Sequence, residues 1–157
     1  MHNDIHWACL PFEQLDLHRL YALMRLRVEV FVVEQNCPYP ELDGRDLHPQ
    51  ALHLLGERAG QLVACARLLP PGLGFEGPAI GRVVVAASAR GTGLAHLLMA
   101  QALAHGQRRW PQQAIFLGAQ SHLQGLYAAH GFEVCSAPYL EDGIPHIDMR
   151  RNASTSA

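Results

Sequence analysis

Ile80-Gly-Arg-Val-Val-Val-Ala-Ala-Ser-Ala-Arg-Gly-Thr-Gly-Leu-Ala-His-Leu-Leu-Met-Ala-Gln-Ala-Leu-Ala104 reads as a strand, a tight turn and a helix. Val83, Val84 and Val85 form a continuous β-branched run, as in a strand buried on both faces. Leu94, Leu97, Leu98 and Leu103 then recur at helical spacing. Between them, Arg90-Gly91-Thr92-Gly93-Leu94-Ala95 puts the least bulky residues where the helix starts. The first turn of a helix has backbone N–H groups without internal partners and carries the positive end of the macrodipole, so small residues there admit an anion. A phosphate group is the natural guest.

Two familiar phosphate loops do not fit these residues. A dinucleotide fingerprint needs a third glycine where His96 stands, and a nucleoside-triphosphate loop needs a Gly-Lys followed by Ser or Thr, which the chain lacks. A plain glycine-rich turn capped by Ser88 or Thr92 is the structural alternative.

At 157 residues the chain suits one domain, taken here as residues 1–151, with a small polar tail, 152–157, expected to be disordered. A net charge of −2 and only a local Arg108-Arg109 pair argue against a nucleic-acid face. The start, Met1-His2-Asn3-Asp4, has no charged-then-apolar export pattern, and no apolar run approaches a membrane span, so a cytoplasmic protein without a membrane partner is expected. Cys9, Cys37, Cys65 and Cys135 are scattered, and the ten histidines form no His-Glu-x-x-His pattern. Free thiols and no metal are the expectation.

Outward from the opening stretch, Ile5–Leu10 reads as a first strand and Leu15–Val33 as a helix. The helix should end or break where Val30, Val32 and Val33 crowd its last turn. Residues 36–44 are loop by their prolines, glycine and Asn/Asp content, and 53–57 with 61–69 form a hairpin. The helix of the opening stretch should end near Gly106. Strand 114–119, a short helix from Leu123 to His130 capped by Gly131, a strand at 132–135 and a last strand from Ile144 to Met149 follow. The pattern is an α/β chain folded as an α+β sandwich.

Arg90-x-x-Gly93-x-Ala95 after a hydrophobic strand resembles the pyrophosphate-binding motif of the GCN5-related N-acetyltransferases (GNAT). Some 35 residues on, Leu126-Tyr127-Ala128-Ala129-His130-Gly131-Phe132 resembles the Leu-Tyr-x-x-x-Gly-Phe signature of the same family. Residues 30–39, Leu117-Gly118-Ala119-Gln120 and residues 141–146 are similar to its bacterial ElaA branch, so the resemblance covers nearly the whole chain. It implies the acyl-CoA N-acyltransferase fold, a mixed, mostly antiparallel sheet of about seven strands flanked by helices. It also implies acetyl-CoA as co-substrate, a small-molecule or peptide amine as acceptor and a possible homodimer.

Residue by residue, the resemblance implies that the backbone of Val83, Val84 and Val85 binds the pantetheine arm. Arg90, Gly91, Thr92, Gly93, Leu94, Ala95 and His96 would meet the pyrophosphate. Tyr127 would protonate the departing thiolate; a phenol of pKa ~10 keeps its proton at neutral pH, and a thiolate, whose thiol has a pKa of ~8.5, is a plausible taker. Gln120 stands where many relatives have asparagine and retains an amide for the cofactor. Gly81-Arg82 replace the carboxylate that many relatives use as base. Glu34, Asp43, His53 and His146 are therefore the candidate bases, since an ammonium acceptor must lose a proton before it attacks. The acids Glu34, Glu41, Asp43, Asp46, Glu141 and Asp142 make either an acidic mouth for a cationic amine or ordinary solvated loops, and Arg25 and Arg27 could pair with them or bind a substrate carboxylate. The reading is an acetyl-CoA-dependent N-acetyltransferase working by direct attack. An acyl-homoserine-lactone-synthase-like acyltransferase and a non-catalytic acyl-CoA-binding domain are the alternatives.

Overall fold

The computed structural model describes residues 4–153. Met1–Asn3 and residues 154–157 of the expected tail lie outside that range, and residues 152–153 belong to no helix or strand. Among the described residues eight strands form one sheet, in the order β1-β2-β3-β4-β5-β8-β6 with β7 on the free part of the β8 edge. They are β1 (Ile5–Pro11), β2 (Leu52–Arg58), β3 (Gln61–Leu69), β4 (Ala79–Val85), β5 (Ile115–Gln120), β6 (Glu133–Val134), β7 (Tyr139–Glu141) and β8 (Ile144–Arg151). Neighbours are antiparallel except β4 and β5, which run parallel. The mixed, mostly antiparallel sheet is as expected; its eighth strand, β7, is short and exposed, and its residues carry no alternation that would announce it.

Helices cover both faces. On one side α2 (Leu94–Arg109) and α3 (Gln124–Ala128) close the main core, in which Leu94, Leu98, Met99 and Ala102 pack with Leu54, Ala64, Ala66 and Leu68. On the other, α1 (Leu17–Val28) sets Leu23 and Leu26 against Cys65 and Val84. Alternation along β3 divides the two cores: Ala64, Ala66 and Leu68 point one way, Cys65 the other. α2 runs three residues past Gly106, which is a contact point rather than a cap. A β-carbon there would sit 3.2 Å from the Ile115 side chain.

Asp16 caps α1 by accepting from the Arg19 amide at 2.8 Å. At its far end the helix widens into a π turn, Glu29–Glu34. Gln35 N–H and Cys37 N–H reach the carbonyls of Val30 and Val32, five residues back. The crowded valines thus break the α-helical register without ending the helical path. Among the described residues no helix is long and apolar enough to cross a membrane.

Candidate active site

Strands β4 and β5 are joined at one end and apart at the other. Their pairing is confined to Ala79 with Phe116, supported by the Phe116 amide on Pro78 O at 2.9 Å. Phe75 stacks on Phe116 with centroids 5.6 Å apart, and a β-carbon on Gly77 would strike that ring at 2.8 Å, so the joined end is tightly packed. Beyond it, β3 holds one edge of β4 and β8 one edge of β5, which leaves the facing edges of Val83–Val85 and Gly118–Gln120 unpaired in the sheet. Backbone N–H and C=O groups are obligatory hydrogen-bonding groups, and along the edges of this wedge the sheet itself supplies no partner for them. Val84 is buried against α1, while Val83 and Val85 pack on the main core; the wedge offers their backbones.

The turn after β4 has the openness the sequence suggests. Gly91 and Gly93 have φ of 78° and 81°, the left-handed region, and a β-carbon on either would meet nothing within 4 Å. Gly93 is the N-cap of α2, so the first-turn amides of Leu94 and Ala95 follow directly, while the His96 amide donates to Gly93 O at 3.1 Å. Leu94 itself is core, and Thr92 donates its hydroxyl to Ala89 O at 2.8 Å. His96 lies against His130, Nδ1 to Nε2 3.1 Å, which joins the two sequence motifs in space. Arg90 donates from Nε to Val85 O at 3.0 Å and from both terminal nitrogens to Glu34.

A cleft of about 660 Å³ is lined by parts of β4, β5, the 31–45 segment and the β7–β8 hairpin. Tyr127 lines it, is 6% exposed and packs edge-on against Phe132. Its hydroxyl has no hydrogen-bond partner among the described residues, and burial pushes its pKa up to about 12, which keeps the phenol protonated. His146 lines the same cleft. Its Nδ1 lies 2.7 Å from Ile144 O, a contact that requires the proton on Nδ1, so that in the neutral ring the lone pair is on Nε2. Nε2 is 3.5 Å from a Glu141 oxygen, and the ring stacks on Tyr139. Gln120 also reaches the cleft, where it exchanges amide hydrogen bonds with Gln35 at 3.2 and 3.5 Å.

The other candidate bases lie elsewhere or are engaged. His53 is 1% exposed, its Nε2 3.1 Å from Asp46 O, and burial lowers its pKa. It does not line the cleft. Glu34 holds Arg90. Asp43 lines the cleft but binds Arg67 at 2.8 and 2.9 Å; burial opposes its charge, yet the hydrogen bonds and charge of Arg67, with help from the Arg45 amide and Arg82, hold its pKa down at about 2. A carboxylate so stabilised is a poor proton acceptor.

Asp43 belongs to a largely buried network that sequence reasoning glimpsed only in part. Arg27 binds Glu41 at 2.6 Å and Asp46 at 2.7 Å, Arg67 bridges Asp43 and Asp46, and Arg82 binds Glu41 at 2.8 Å. Tyr39 hydrogen-bonds Glu41 and lies beneath the Arg82 guanidinium. Between the pairs Cys65–Val84 and Arg67–Gly81, the single residue Ala66 of β3 stands opposite Arg82 and Val83 of β4, and Arg82, in that bulge, has φ of 51°. The bulge turns Arg82 into the network, where three arginines meet three acids. Of the two uses weighed for Arg27, pairing with the loop acids is the one observed, while Arg25 pairs with Glu29 on the surface. The acids of the first loop are consequently neutralised, and the carboxylates left facing the cleft are those of the late hairpin, Glu141, Asp142 and Asp148. Arg67 sits mid-strand, and only its distance in space, not in sequence, makes it part of the group.

The open glycine turn, the unpaired wedge edges and the unpartnered Tyr127 hydroxyl fit an acyl-CoA, and comparison with known proteins agrees. A family model described as an acetyltransferase (GNAT) domain matches residues 24–153. ElaA of Escherichia coli K12 is 45% identical over 147 residues, spanning 94% of this chain and 96% of that protein. The crystal structure of an acyl-CoA N-acyltransferase from Pseudomonas aeruginosa superposes with a TM-score of 0.88 at 49% identity, over 93% of this chain and 99% of that one. The crystal structure of Escherichia coli ElaA does so with 0.86 at 42% identity, over 94% and 99%. With the wedge, the glycine turn and both sequence motifs in place, the chain belongs to the GNAT acyltransferase family, as an ElaA-like member.

Proposed function

We propose that this protein transfers an acetyl group from acetyl-CoA to a primary amine by direct attack in a ternary complex. The observation that carries the reading is that Tyr127 and His146, one a protonated phenol without a partner and the other an imidazole whose Nδ1 is fixed on Ile144 O and whose Nε2 stands beside Glu141, line one cleft that opens from the β4–β5 wedge. Acetyl-CoA, when bound, supplies an activated thioester. The amides of Gly91 to His96 and the charge of Arg90 would hold its pyrophosphate, and the free edge of Val83–Val85 its pantetheine arm.

The chain's own residues then manage protons. His146 Nε2 takes the proton that an ammonium acceptor must lose, and Glu141, 3.5 Å away, stabilises the imidazolium that results. As the new C–N bond forms and the C–S bond breaks, Tyr127 gives its Oη proton to the sulfur that leaves, and the second proton shed by the attacking nitrogen restores the phenol. Glu141, Asp142 and Asp148 favour an acceptor that arrives as a cation. Cys37 is buried and its Sγ lies 3.6 Å from Asp142 O, tying the first loop to the hairpin; it has no role as a nucleophile in this scheme.

The test is release of CoA from acetyl-CoA in the presence of peptides, polyamines, amino acids and amino sugars. Turnover with an amine, lost in His146→Ala and retained in Cys37→Ala, supports the proposal. An acetyl-enzyme trapped at Cys37 in a single turnover refutes direct attack. Binding of acetyl-CoA without release by any amine makes the protein a binding module, and lactone formation from S-adenosylmethionine with an acyl donor makes it a synthase.

A further inference from the structure

Arg90 occupies the place expected to meet a pyrophosphate, yet its guanidinium already holds an anion. Nη1 and Nη2 donate to the two oxygens of Glu34 at 2.8 and 3.0 Å, while Nε is fixed on Val85 O. This paired fork is the arrangement a guanidinium offers to carboxylate and phosphate alike, so the two anions compete for one face. The next residue, Gln35, grips Gln120 at the end of β5. Consecutive residues at the end of the π turn therefore tie it to both arms of the wedge.

The chemistry of the two ties differs. Gln35 with Gln120 is a neutral, reciprocal amide pair that a charged ligand does not displace by charge alone. Arg90 with Glu34 is an ion pair whose side chains are 41% and 46% exposed. Such a pair is weak and salt-screened, unlike the buried Arg27–Glu41 pair, whose separation would strand two charges away from water. A pyrophosphate, with more charge than one carboxylate, is equipped to displace Glu34 from Arg90.

We propose that Glu34 is an internal competitor for the phosphate of the donor. It acts through Arg90 as a positioning residue, holding the guanidinium beside β4 in the empty protein and lowering donor affinity. This rests on the acyl-CoA reading above and adds to it a residue that sets how tightly the donor is held. Glu34, a candidate base in the sequence, thereby acquires a role on the donor side of the site.

Calorimetric titration of CoA into the wild type, Glu34→Gln, Arg90→Gln and the double variant tests it without requiring turnover. Glu34→Gln should bind CoA roughly three- to tenfold more tightly at about 50 mM salt, and the gain should shrink at about 500 mM. Arg90→Gln should bind more weakly, and adding Glu34→Gln to it should give little further gain, because the competition requires the shared guanidinium. Equal or weaker binding by Glu34→Gln overturns the proposal, as does an equal gain in the Arg90→Gln background. CoA binding to none of the four proteins overturns the acyl-CoA reading itself, a distinct failure.

Discussion

Arg27→Met removes a guanidinium from the interior while retaining most of its apolar stem, so it isolates the charge. Arg27 is 1% exposed and donates to Glu41 Oε2 at 2.6 Å, Asp46 Oδ1 at 2.7 Å and Glu41 O at 3.3 Å. Its loss leaves two largely buried carboxylates, each with one remaining arginine: Arg82 for Glu41 and Arg67 for Asp46. Breaking a buried pair costs ~3–5 kcal/mol, and the surviving partners place this variant near the lower figure. For a chain of this size about 3 kcal/mol corresponds to a fall in Tm of roughly 6–12 °C. Arg25→Met is the control on the same helix, since Arg25 pairs with Glu29 at the surface and its loss should leave Tm nearly unchanged. Thermal and urea unfolding followed by circular dichroism give both values. A loss under about 1 kcal/mol for Arg27→Met would show that the network adds little to stability.

Tyr127→Phe should retain CoA binding and lose turnover by ~10²-fold or more, because one buried hydroxyl is removed and the ring stays packed on Phe132; undiminished CoA release removes Tyr127 from the mechanism. The Asp43 carboxyl is held at about 2 and that of Asp46 is lowered by Arg27 and Arg67 against the effect of burial, whereas both sit near ~3.9 when unfolded. Their stabilisation is complete above about pH 4 and drains as pH falls towards 2, so the urea midpoint should drop through that window and drop less in Asp43→Asn; identical acid profiles would sink the assignment. Gly93→Ala places a side chain at φ 81°, so it should cost ~1–2 kcal/mol of local strain and weaken CoA binding, whereas Gly125→Ala inside α3 should stabilise by ~0.5–1 kcal/mol. Equal effects of the two alanines would show that backbone conformation is not what the turn requires.

Much of the fold was legible because its signals are local. The strand, turn and helix around Val83–Arg109 follow from a β-branched run, two glycines in left-handed conformation and leucines at helical spacing. The π turn was half visible, as a run of valines that a helix tolerates poorly. β7 was invisible: Tyr139-Leu140-Glu141 is exposed throughout and becomes a strand only because β8 offers it an edge. The unpaired edges of β4 and β5 leave no mark in the sequence either, since backbone hydrogen bonding is independent of side-chain type.

The sequence by itself determined the glycine turn and the two family motifs: Arg90–His96 and Leu126–Phe132 are contiguous, and their conformations depend on neighbours in the chain. Only the tertiary structure decided the fate of the charged residues around the cleft. His53 and His146 are both strand histidines, yet one is sealed beneath Asp46 and the other faces the cleft. Asp43 and Glu141 are both loop-edge acids, yet one is neutralised by arginines 24 and 39 residues away and the other stands beside His146. Whether a carboxylate or an imidazole can move a proton depends on which charges and how much water surround it, and folding sets those surroundings through contacts between residues far apart in the chain.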